Sequence, residues 1–246
     1  RFEKQVTFLK ENPAISLVGG GAILINEEGK ENGFFKVPLT TEQIKVAALF
    51  GVPFIHPTVM FRQTVFSENK LFYNPEFTTA QDFELWSRLV HQLNGANLAE
   101  PVLYYRESNQ QLSKSRVTEQ TAFFIKALSI QLEHLKVLLT EEELKLLVIM
   151  SRNKNNETVT IEMVTKLRIV LEKIYDTIPN YSTYNNKLLA KQLFVSFSLV
   201  FLSFKGNKVL FCKEVLMFLQ KTKLSLFDKI VFPFFLVKVW ILSLKK

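Results

Sequence analysis

The spacing of apolar positions divides the chain into two parts. Up to about residue 116, short apolar runs alternate with helix-like stripes and with turns that contain glycine or proline. From residue 117 onward the apolar positions recur at helical spacing, and polar turns separate the segments. These segments lie near 117–139, 140–150, 157–178 and 183–204. The pattern predicts an α/β first part, residues 1–116, followed by an all-helical C-terminal extension, residues 117–246.

The first part opens with a predicted helix and a predicted strand. Arg1–Glu11 carries an apolar stripe, and the Asn12-Pro13 pair that follows ends the helix. The next run, AISLVGGGAILIN, is rich in β-branched residues and predicts extended chain. Its three consecutive glycines indicate a bulge or the close approach of another group to the backbone. They lack the spacing and the following helix of a phosphate-binding loop.

Two more helices and strands complete the first part. The stretch VPLTTEQIKVAALFG predicts a helix over Val37–Gly51 with a capping signal, Thr40 or Thr41 before Gln43. The other predicted elements are a strand after Pro57 in FIHPTVMFR, a helix over Ala80–Leu93 and an extended run over Ala96–Arg106.

One acid lies in line with the apolar stripe of the Ala80–Leu93 helix. Thr78 and Gln81 have capping-box spacing, which puts Asp82 in the first turn, where the helix dipole stabilises negative charge. The stripe on the same side consists of Leu85, Trp86, Leu89 and Leu93. Two interpretations stay open from helix physics. Asp82 either only favours the dipole, or lies at the rim of a cleft as a general base for a hydroxyl.

An ordered set of motifs in the first part resembles the family 2 glycosyltransferases, the large inverting GT-A group. The motifs are RFEKQ, VGGG, HPTVMFR, AQDFELWSRL, NLAEPVLYYR and QLS, and they cover roughly Arg1 to Ser115. The resemblance implies that residues 1–116 are the C-terminal half of a GT-A domain, a mixed sheet remnant with helices. It also implies that Asp82 is the base that deprotonates the acceptor hydroxyl.

The sequence departs from the family's pattern in three places. Gln81 stands where the family usually has Glu, and Ser108 stands where many members have His. The family's nucleotide-binding half, with its Asp-x-Asp metal motif, precedes the helix with which this sequence starts. Asp occurs here only at 82, 176 and 228. We therefore expect the Mg²⁺ or Mn²⁺ ion of the intact enzyme to be bound mostly outside these 246 residues, and no turnover by these residues alone.

Six side chains are candidates for substrate binding beside the base: His56, Thr58, Arg62, Gln81, Trp86 and Arg106. The first three would line the acceptor cleft, although His56 is equally well explained as a loop histidine bonded to backbone. Trp86 would stack on a sugar or fill the core. Arg106 would meet a phosphate or form a salt bridge, for example with Asp82. No pair of histidines has metal-ligand spacing with a carboxylate, so no metal site is expected here.

The positive charge is concentrated at the end of the chain. The formal net charge is +8, and residues 187–246 carry 11 Lys against 2 acids together with 10 of the 23 Phe. Neither 192–204 nor 229–246 is an uninterrupted apolar run of about 20 residues, so neither is a clear transmembrane span. Phe interleaved with Lys predicts a helical surface on anionic lipid. A subdomain with a solvated lysine face, or a contact with a partner protein, is the alternative.

Together these features predict an inverting transferase. It would move a sugar from a nucleotide-sugar donor to a glycan or lipid-linked acceptor in bacterial cell-surface polysaccharide synthesis. The single cysteine, Cys212, fits a reducing compartment, and we expect a cytoplasmic protein, peripheral on the inner face of the plasma membrane. Nucleic acid is not an expected partner, because the aromatic residues have core spacing and Arg is scarce. The alternative is a non-catalytic membrane-surface or protein-binding module derived from such an enzyme.

Overall fold

The computed structural model describes residues 1–68, 72–108, 116–152, 159–181, 184–200, 204 and 206–222. The chain divides into two compact units, Arg1–Gln131 and Leu132–Lys246. The first unit combines a sheet with helices, and the described residues of the second are helical, which confirms the predicted fold class. The helix Val117–His134 begins in the first unit and ends in the second.

The elements of the first unit follow one another in a mixed order of helices and strands. In chain order they are α1 (Phe2–Glu11), β1 (Leu17–Ile25), β2 (Glu31–Phe35), α2 (Thr41–Ala47), a 3₁₀ turn (His56–Thr58), β3 (Met60–Phe61), α3 (Gln63–Glu68), α4 (Gln81–Leu89), β4 (Gly95–Arg106) and α5 (Val117–His134).

Strand β1 is the centre of the sheet. It runs parallel to β4 along its whole length, from the Leu17–Gly95 pair to the Ile25–Arg106 pair. Two strands antiparallel to β1 pair with it as well, β3 near its start and β2 near its end. The sheet is therefore mixed, and all of its described pairings involve β1.

The glycine run of β1 allows the neighbouring strands to pack closely. A Cβ on Gly19 would lie 2.2 Å from Oδ1 of Asn97, and one on Gly20 would lie 2.9 Å from both methyl carbons of Val102. The β1–β4 register also shifts on either side of Gly21. The sequence prediction of a bulge or a close approach is confirmed, and the groups that approach are side chains of this chain.

The capping prediction for α2 is confirmed as well. Thr40 is the N-cap, its hydroxyl accepts a hydrogen bond from the Gln43 amide, and the Gln43 side chain accepts from the Thr40 amide. Helix α1 also forms as predicted, but its buried face differs from the apolar stripe. Gln5 is fully buried, whereas Phe2 is 66% exposed.

Two boundary predictions need correction. The segment after Pro57 is predicted as strand, but a 3₁₀ turn continues to Thr58 and β3 spans only two residues. The helix predicted over Ala80–Leu93 is α4, which begins at Gln81 and ends at Leu89. Its Thr78–Gln81 capping box is wrong: the N-cap is Ala80, which makes no side-chain cap hydrogen bond.

Helix α4 buries its apolar side in the core of the first unit. Trp86, Leu85 and Leu89 pack there with Phe54 of the loop after α2 and with Leu17 of β1. On a second side, Phe83 stacks on Phe124 of α5, with ring centroids 3.9 Å apart. These contacts fix the helix that carries Asp82.

The second unit, as far as the structure describes it, is a set of helices with an aromatic core. The helices are α6 (Glu141–Arg152), α7 (Ile161–Tyr181), α8 (Asn186–Leu199) and α9 (Lys208–Thr222). Phe197 contacts both Phe211 and Phe218 of α9, at centroid distances of 5.7 and 5.9 Å. Arg168 of α7 bonds to Glu214 of α9 and so ties the two helices together.

The apolar stretches of the basic tail are only partly described. The stretch 192–204 forms the end of α8 and continues beyond it, whereas 229–246 lies outside the described residues. Among the helices in the part of the chain that the structure describes, none has the length and apolar character needed to span a bilayer.

Candidate active site

The candidate base lies in the first turn of α4. Asp82 is partly exposed, and its Oδ1 accepts a hydrogen bond from the Phe83 amide at 2.8 Å. The helix begins after Ala80, which has φ 55° and ψ 21°, a left-handed conformation that is uncommon for a residue other than glycine. Thr78 does not cap the helix, because its hydroxyl donates to Glu119 of α5.

Two exposed side chains, Tyr73 and His56, contact each other near helix α4. The hydroxyl of Tyr73 lies 3.2 Å from Nε2 of His56, and their ring centroids are 6.0 Å apart. Partial burial of the phenol, and next the negative charge of Asp82, raise the pKa of Tyr73 above its usual value. Tyr73 therefore stays protonated and keeps its hydrogen for donation at neutral pH.

Trp86 contacts His56 from the core of the first unit. It lies one helical turn after Asp82 and is 2% exposed, with its ring centroid 5.8 Å from His56 and 5.4 Å from Phe54. Its indole Nε1 is buried and has no hydrogen-bond partner among the described residues. A buried N–H without a partner is uncommon, and this one belongs to a ring that contacts His56.

Helix α5 anchors the segment that leads into α4. Lys126 forms an ion pair with Glu76 at 3.0 Å and lies 5.1 Å from the ring centroid of Phe77. Phe77 in turn contacts Phe123, with ring centroids 5.4 Å apart. The chain between Glu76 and Asp82 is thus held by contacts with α5.

Thr58 and Arg62 make internal hydrogen bonds in this structure. The Thr58 side chain is fully buried, donates to the Ile55 carbonyl at 2.6 Å and accepts from the Gly20 amide. Arg62 donates to the carbonyls of Ile15, Leu9 and Asn12 and so holds the end of α1. Both residues shape the first unit, and their roles in substrate binding stay predictions.

Gln81 and Arg106 are the two remaining candidates. Gln81 is exposed and adjoins Asp82 in the first turn of α4. Arg106 lies at the end of β4 and donates to the carbonyls of Asn26 and Glu27 in the turn between β1 and β2. The structure therefore brings Asp82, Gln81, His56 and Trp86 into one region, and it places the Arg106 guanidinium at the β1–β2 turn.

The described residues do not form a metal centre. No three or more His, Cys, Asp or Glu side chains in this part of the chain are arranged to hold a metal ion. The Mg²⁺ or Mn²⁺ expected from the resemblance does not fit any donor set described here, so no chemical step is assigned to a metal on these residues.

Sequence reasoning missed Tyr73. The signal available to it was the aromatic pair Phe72-Tyr73 in a polar stretch shortly before the α4 helix. Periodicity does not show that such a loop residue returns to His56, 17 positions earlier. The contact depends on tertiary hydrogen bonds, which local patterns do not encode.

Comparison with known proteins connects the chain to glycosyltransferases. A Haemophilus influenzae protein named as an uncharacterized glycosyltransferase is 31% identical over 126 residues, covering 48% of this chain and 39% of the relative. An Erwinia amylovora protein, the amylovoran biosynthesis glycosyltransferase AmsE, is 29% identical over 119 residues, covering 47% of this chain and 43% of the relative. A second Haemophilus influenzae protein with the same name as the first is 31% identical over 125 residues, covering 49% and 44%.

The matches cover only part of this chain and only part of each relative. The chain spans less than half the length of each of these curated relatives. No protein-family model matches it, and no solved structure matches it. The chain is thus similar to proteins named glycosyltransferases over about half of its own length.

Proposed function

We propose that this chain is part of an inverting family 2 glycosyltransferase of the GT-A group and supplies its acceptor side, with Asp82 as the general base. The observation that carries the proposal is the placement of Asp82. It is a partly exposed carboxylate in the first turn of α4, close enough to Tyr73 to help raise the pKa of that phenol, and Tyr73 contacts His56. The partial similarity to proteins named glycosyltransferases supports the reaction class.

The proposed reaction is a single displacement. A carboxylate oxygen of Asp82 takes the proton of an acceptor hydroxyl as the hydroxyl oxygen bonds to the anomeric carbon of the donor sugar. The bond between that carbon and the nucleoside diphosphate breaks, and the diphosphate leaves with the bonding electrons. Attack from the opposite side inverts the anomeric configuration.

The donor site is proposed to lie outside these residues. A nucleoside diphosphate leaves readily when cations meet its developing charge. The nucleotide sugar and a divalent ion, Mg²⁺ or Mn²⁺, are therefore assigned to residues beyond the 246 described by this sequence. The share of the curated relatives that this chain leaves uncovered is large enough to hold them.

The acceptor is proposed to be a glycan or a lipid-linked glycan of cell-surface polysaccharide synthesis. The Erwinia amylovora relative is named for amylovoran biosynthesis, which supports this role. Four large apolar side chains of α9 are exposed, and they supply the feature expected of a surface that rests on lipid: Val209, Leu210, Leu216 and Met217. The proposed location is the cytoplasmic face of the plasma membrane.

A second candidate function comes from the same apolar face. A module that only binds a membrane surface or a protein would also expose Val209 and Leu216, which are 75% and 58% exposed. Such a module would not need a carboxylate at Asp82. Turnover is therefore what separates the two candidates.

The test is Asp82→Asn in the longest natural form of the protein, assayed with a panel of sugar nucleotides and Mn²⁺. We expect kcat to fall by roughly 10²–10⁴-fold, because Asn has the shape of Asp but does not take a proton. Asp176→Asn is the matched control, since Asp176 forms an exposed ion pair with Lys221 in the second unit. Full activity of Asp82→Asn would remove Asp82 from the mechanism, and no turnover by the unsubstituted protein would favour the second candidate.

A further inference from the structure

We propose that Tyr73 is a positioning residue of the candidate site and that the Glu84–Arg88 pair holds it in place through the carbonyl of Phe72. Arg88 makes two bonds to Glu84, from Nε to Oε1 at 2.6 Å and from Nη2 to Oε2 at 2.9 Å. Its Nη2 also donates to the carbonyl oxygen of Phe72 at 2.8 Å. The guanidinium therefore joins α4 to the segment that carries Tyr73.

The anchor of this link is rigid. Glu84 is 4% exposed and lies on α4, four residues before Arg88. A bidentate contact with a buried carboxylate fixes the plane of the guanidinium, so the second N–H of Nη2 points in one direction. The Phe72 carbonyl accepts from that group, and the backbone of the next residue, Tyr73, is fixed with it.

Tyr73 needs such a restraint because burial does not hold it. Its side chain is 49% exposed, and that of Phe72 is 64% exposed. An exposed aromatic side chain in a loop gains little from the hydrophobic effect, so hydrogen bonds decide its position. Two hydrogen bonds among the described residues restrain this loop end, the bond from Arg88 to Phe72 and the bond between Tyr73 and His56.

A fixed Tyr73 also restrains the imidazole of His56, to which it is hydrogen-bonded. The ring lies between Tyr73 and Trp86, and its Nε2 meets the Tyr73 hydroxyl. The phenol oxygen can also accept, so this bond is compatible with either neutral tautomer. In the proposed arrangement Tyr73 donates, Nε2 accepts and the ring proton resides on Nδ1. His56 then presents a fixed tautomer and a fixed ring plane at this site.

The catalytic meaning of this arrangement rests on the proposed function, whereas the arrangement itself does not. If Asp82 is the base, an immobilised imidazole near the start of α4 orients the acceptor hydroxyl toward the carboxylate. Misplacement of a reacting group by about 1 Å reduces rates by roughly 10²-fold, so loss of the restraint has a measurable effect.

The first experiment measures the tautomer of His56 and needs no turnover. The sequence has three histidines, so nitrogen-15 NMR of the imidazoles is assigned with one His56→Gln variant. We expect the Nδ1–H form in the unsubstituted protein and its loss in Tyr73→Phe, which removes only the hydroxyl. Tyr104→Phe is the matched control, because Tyr104 is 62% exposed on β4, and it should leave the signals unchanged.

The link through Arg88 is tested in the same spectra. Arg88→Lys keeps the positive charge beside Glu84 but does not provide the planar fork that bonds Glu84 and Phe72 together. We expect it to lose the Nδ1–H signature as Tyr73→Phe does. An unchanged His56 tautomer in Tyr73→Phe would overturn the proposal for Tyr73, and an unchanged tautomer in Arg88→Lys would overturn the proposed link.

The second experiment measures kcat/KM in the longest natural form of the protein. We expect Tyr73→Phe and Arg88→Lys to lower it by roughly 10- to 100-fold and Tyr104→Phe to leave it unchanged. Full activity of Tyr73→Phe in an enzyme that Asp82→Asn inactivates would remove Tyr73 from the site while leaving the proposed function intact. Full activity of Asp82→Asn, together with loss of the Nδ1–H signal in Tyr73→Phe, would overturn the proposed function while leaving the role of Tyr73 in orienting His56 intact.

Discussion

The two compact units differ in what their buried polar side chains do. In the first unit, buried amides bond to backbone far away in sequence. Gln5 donates to the carbonyls of Val18 and Thr58, and Asn97 donates to those of Pro38 and Pro53. In the described part of the second unit the buried polar side chains are hydroxyls, which bond within their own helix as Ser87 of α4 does in the first unit. Ser198 donates to the Phe194 carbonyl, and Thr222 donates to the Phe218 carbonyl.

This difference follows from the kind of backbone that each unit must satisfy. A helix satisfies its own amides and carbonyls, so a helical core is filled largely with hydrocarbon. Irregular segments leave carbonyls that need a donor when they are buried. The first unit provides these donors from side chains, and two of the carbonyls they bind, those of Pro53 and Thr58, flank His56 in the chain. The polar interior and the candidate chemistry thus occur in the same unit.

The largest effect is expected in the second unit, at the nearly buried ion network of Arg168, Glu172 and Glu214. Arg168 bonds to Glu172 at 2.7 Å and to Glu214 at 2.6 Å, and the three side chains are 11–19% exposed. Arg168→Ala leaves two nearly buried carboxylates unpaired, so we expect the free energy of unfolding to fall by about 3 kcal/mol. Urea unfolding measures the loss, and hydrogen exchange locates it.

Two controls test whether the loss at Arg168 is confined to the buried network. Lys221→Ala removes the exposed pair with Asp176 and should not change stability measurably, because exposed pairs contribute little. The His56 tautomer of Arg168→Ala should match that of the unsubstituted protein. A disturbed His56 signal would contradict the view that the chemistry of the first unit is independent of this network.

The sequence allowed much of the regular structure to be predicted, because local patterns encode it. The Thr40–Gln43 capping box, the strand AISLVGGGAILIN and the change to an all-helical second part all formed as the patterns indicate. The capping box at Thr78 failed because its hydroxyl bonds to Glu119 on another helix. A tertiary partner 41 residues away has no signature in local spacing.

The candidate site was predictable only in part. Asp82 was predicted from its place on the helix and from the family resemblance, and His56 from its loop position before Pro57. The structure places both near Trp86, which lies one turn after Asp82 and contacts His56. Tyr73 itself depends on the hydrogen bond from Arg88 to a backbone carbonyl. Backbone acceptors are the same at every residue, so no residue pattern reveals which of them is used.

The glycine run of β1 packs closely against the polar interior of the first unit. Gly19→Ala would put a Cβ 2.2 Å from Oδ1 of Asn97, whose amide is held by two carbonyls and cannot move aside without losing them. We expect the free energy of unfolding to fall by about 2–3 kcal/mol, the cost of overpacking a tight interior. Urea unfolding, followed by tryptophan fluorescence, measures this fall in the free energy of unfolding.

Gly51→Ala is the control in the same unit. A Cβ on Gly51 meets nothing within 4 Å, so the substitution should be neutral or slightly stabilising. Equal losses for the two glycines would mean that close packing against Asn97 is not what the glycine run provides. The β1–β4 register would then need another explanation.

The smallest effect is expected at Ala80, the residue immediately before the helix that carries Asp82. Ala80 is buried and has a left-handed conformation, φ 55°, which costs an L-residue about 1–2 kcal/mol. Ala80→Gly removes that cost but also loses a buried methyl group, about 0.8 kcal/mol, and adds freedom to the unfolded chain. We expect the net change in unfolding free energy to be within about 0.5 kcal/mol.

Ala127 of α5 supplies the contrast, because it is equally buried but has helical neighbours on both sides. Ala127→Gly loses a methyl group and gains no relief of strain, so it should cost about 1–2 kcal/mol in urea unfolding. Equal costs at the two positions would show that the left-handed residue before Asp82 stores no strain. A smaller cost at Ala80 would mean that tertiary contacts, and not intrinsic preference, set the angle at which α4 presents its carboxylate.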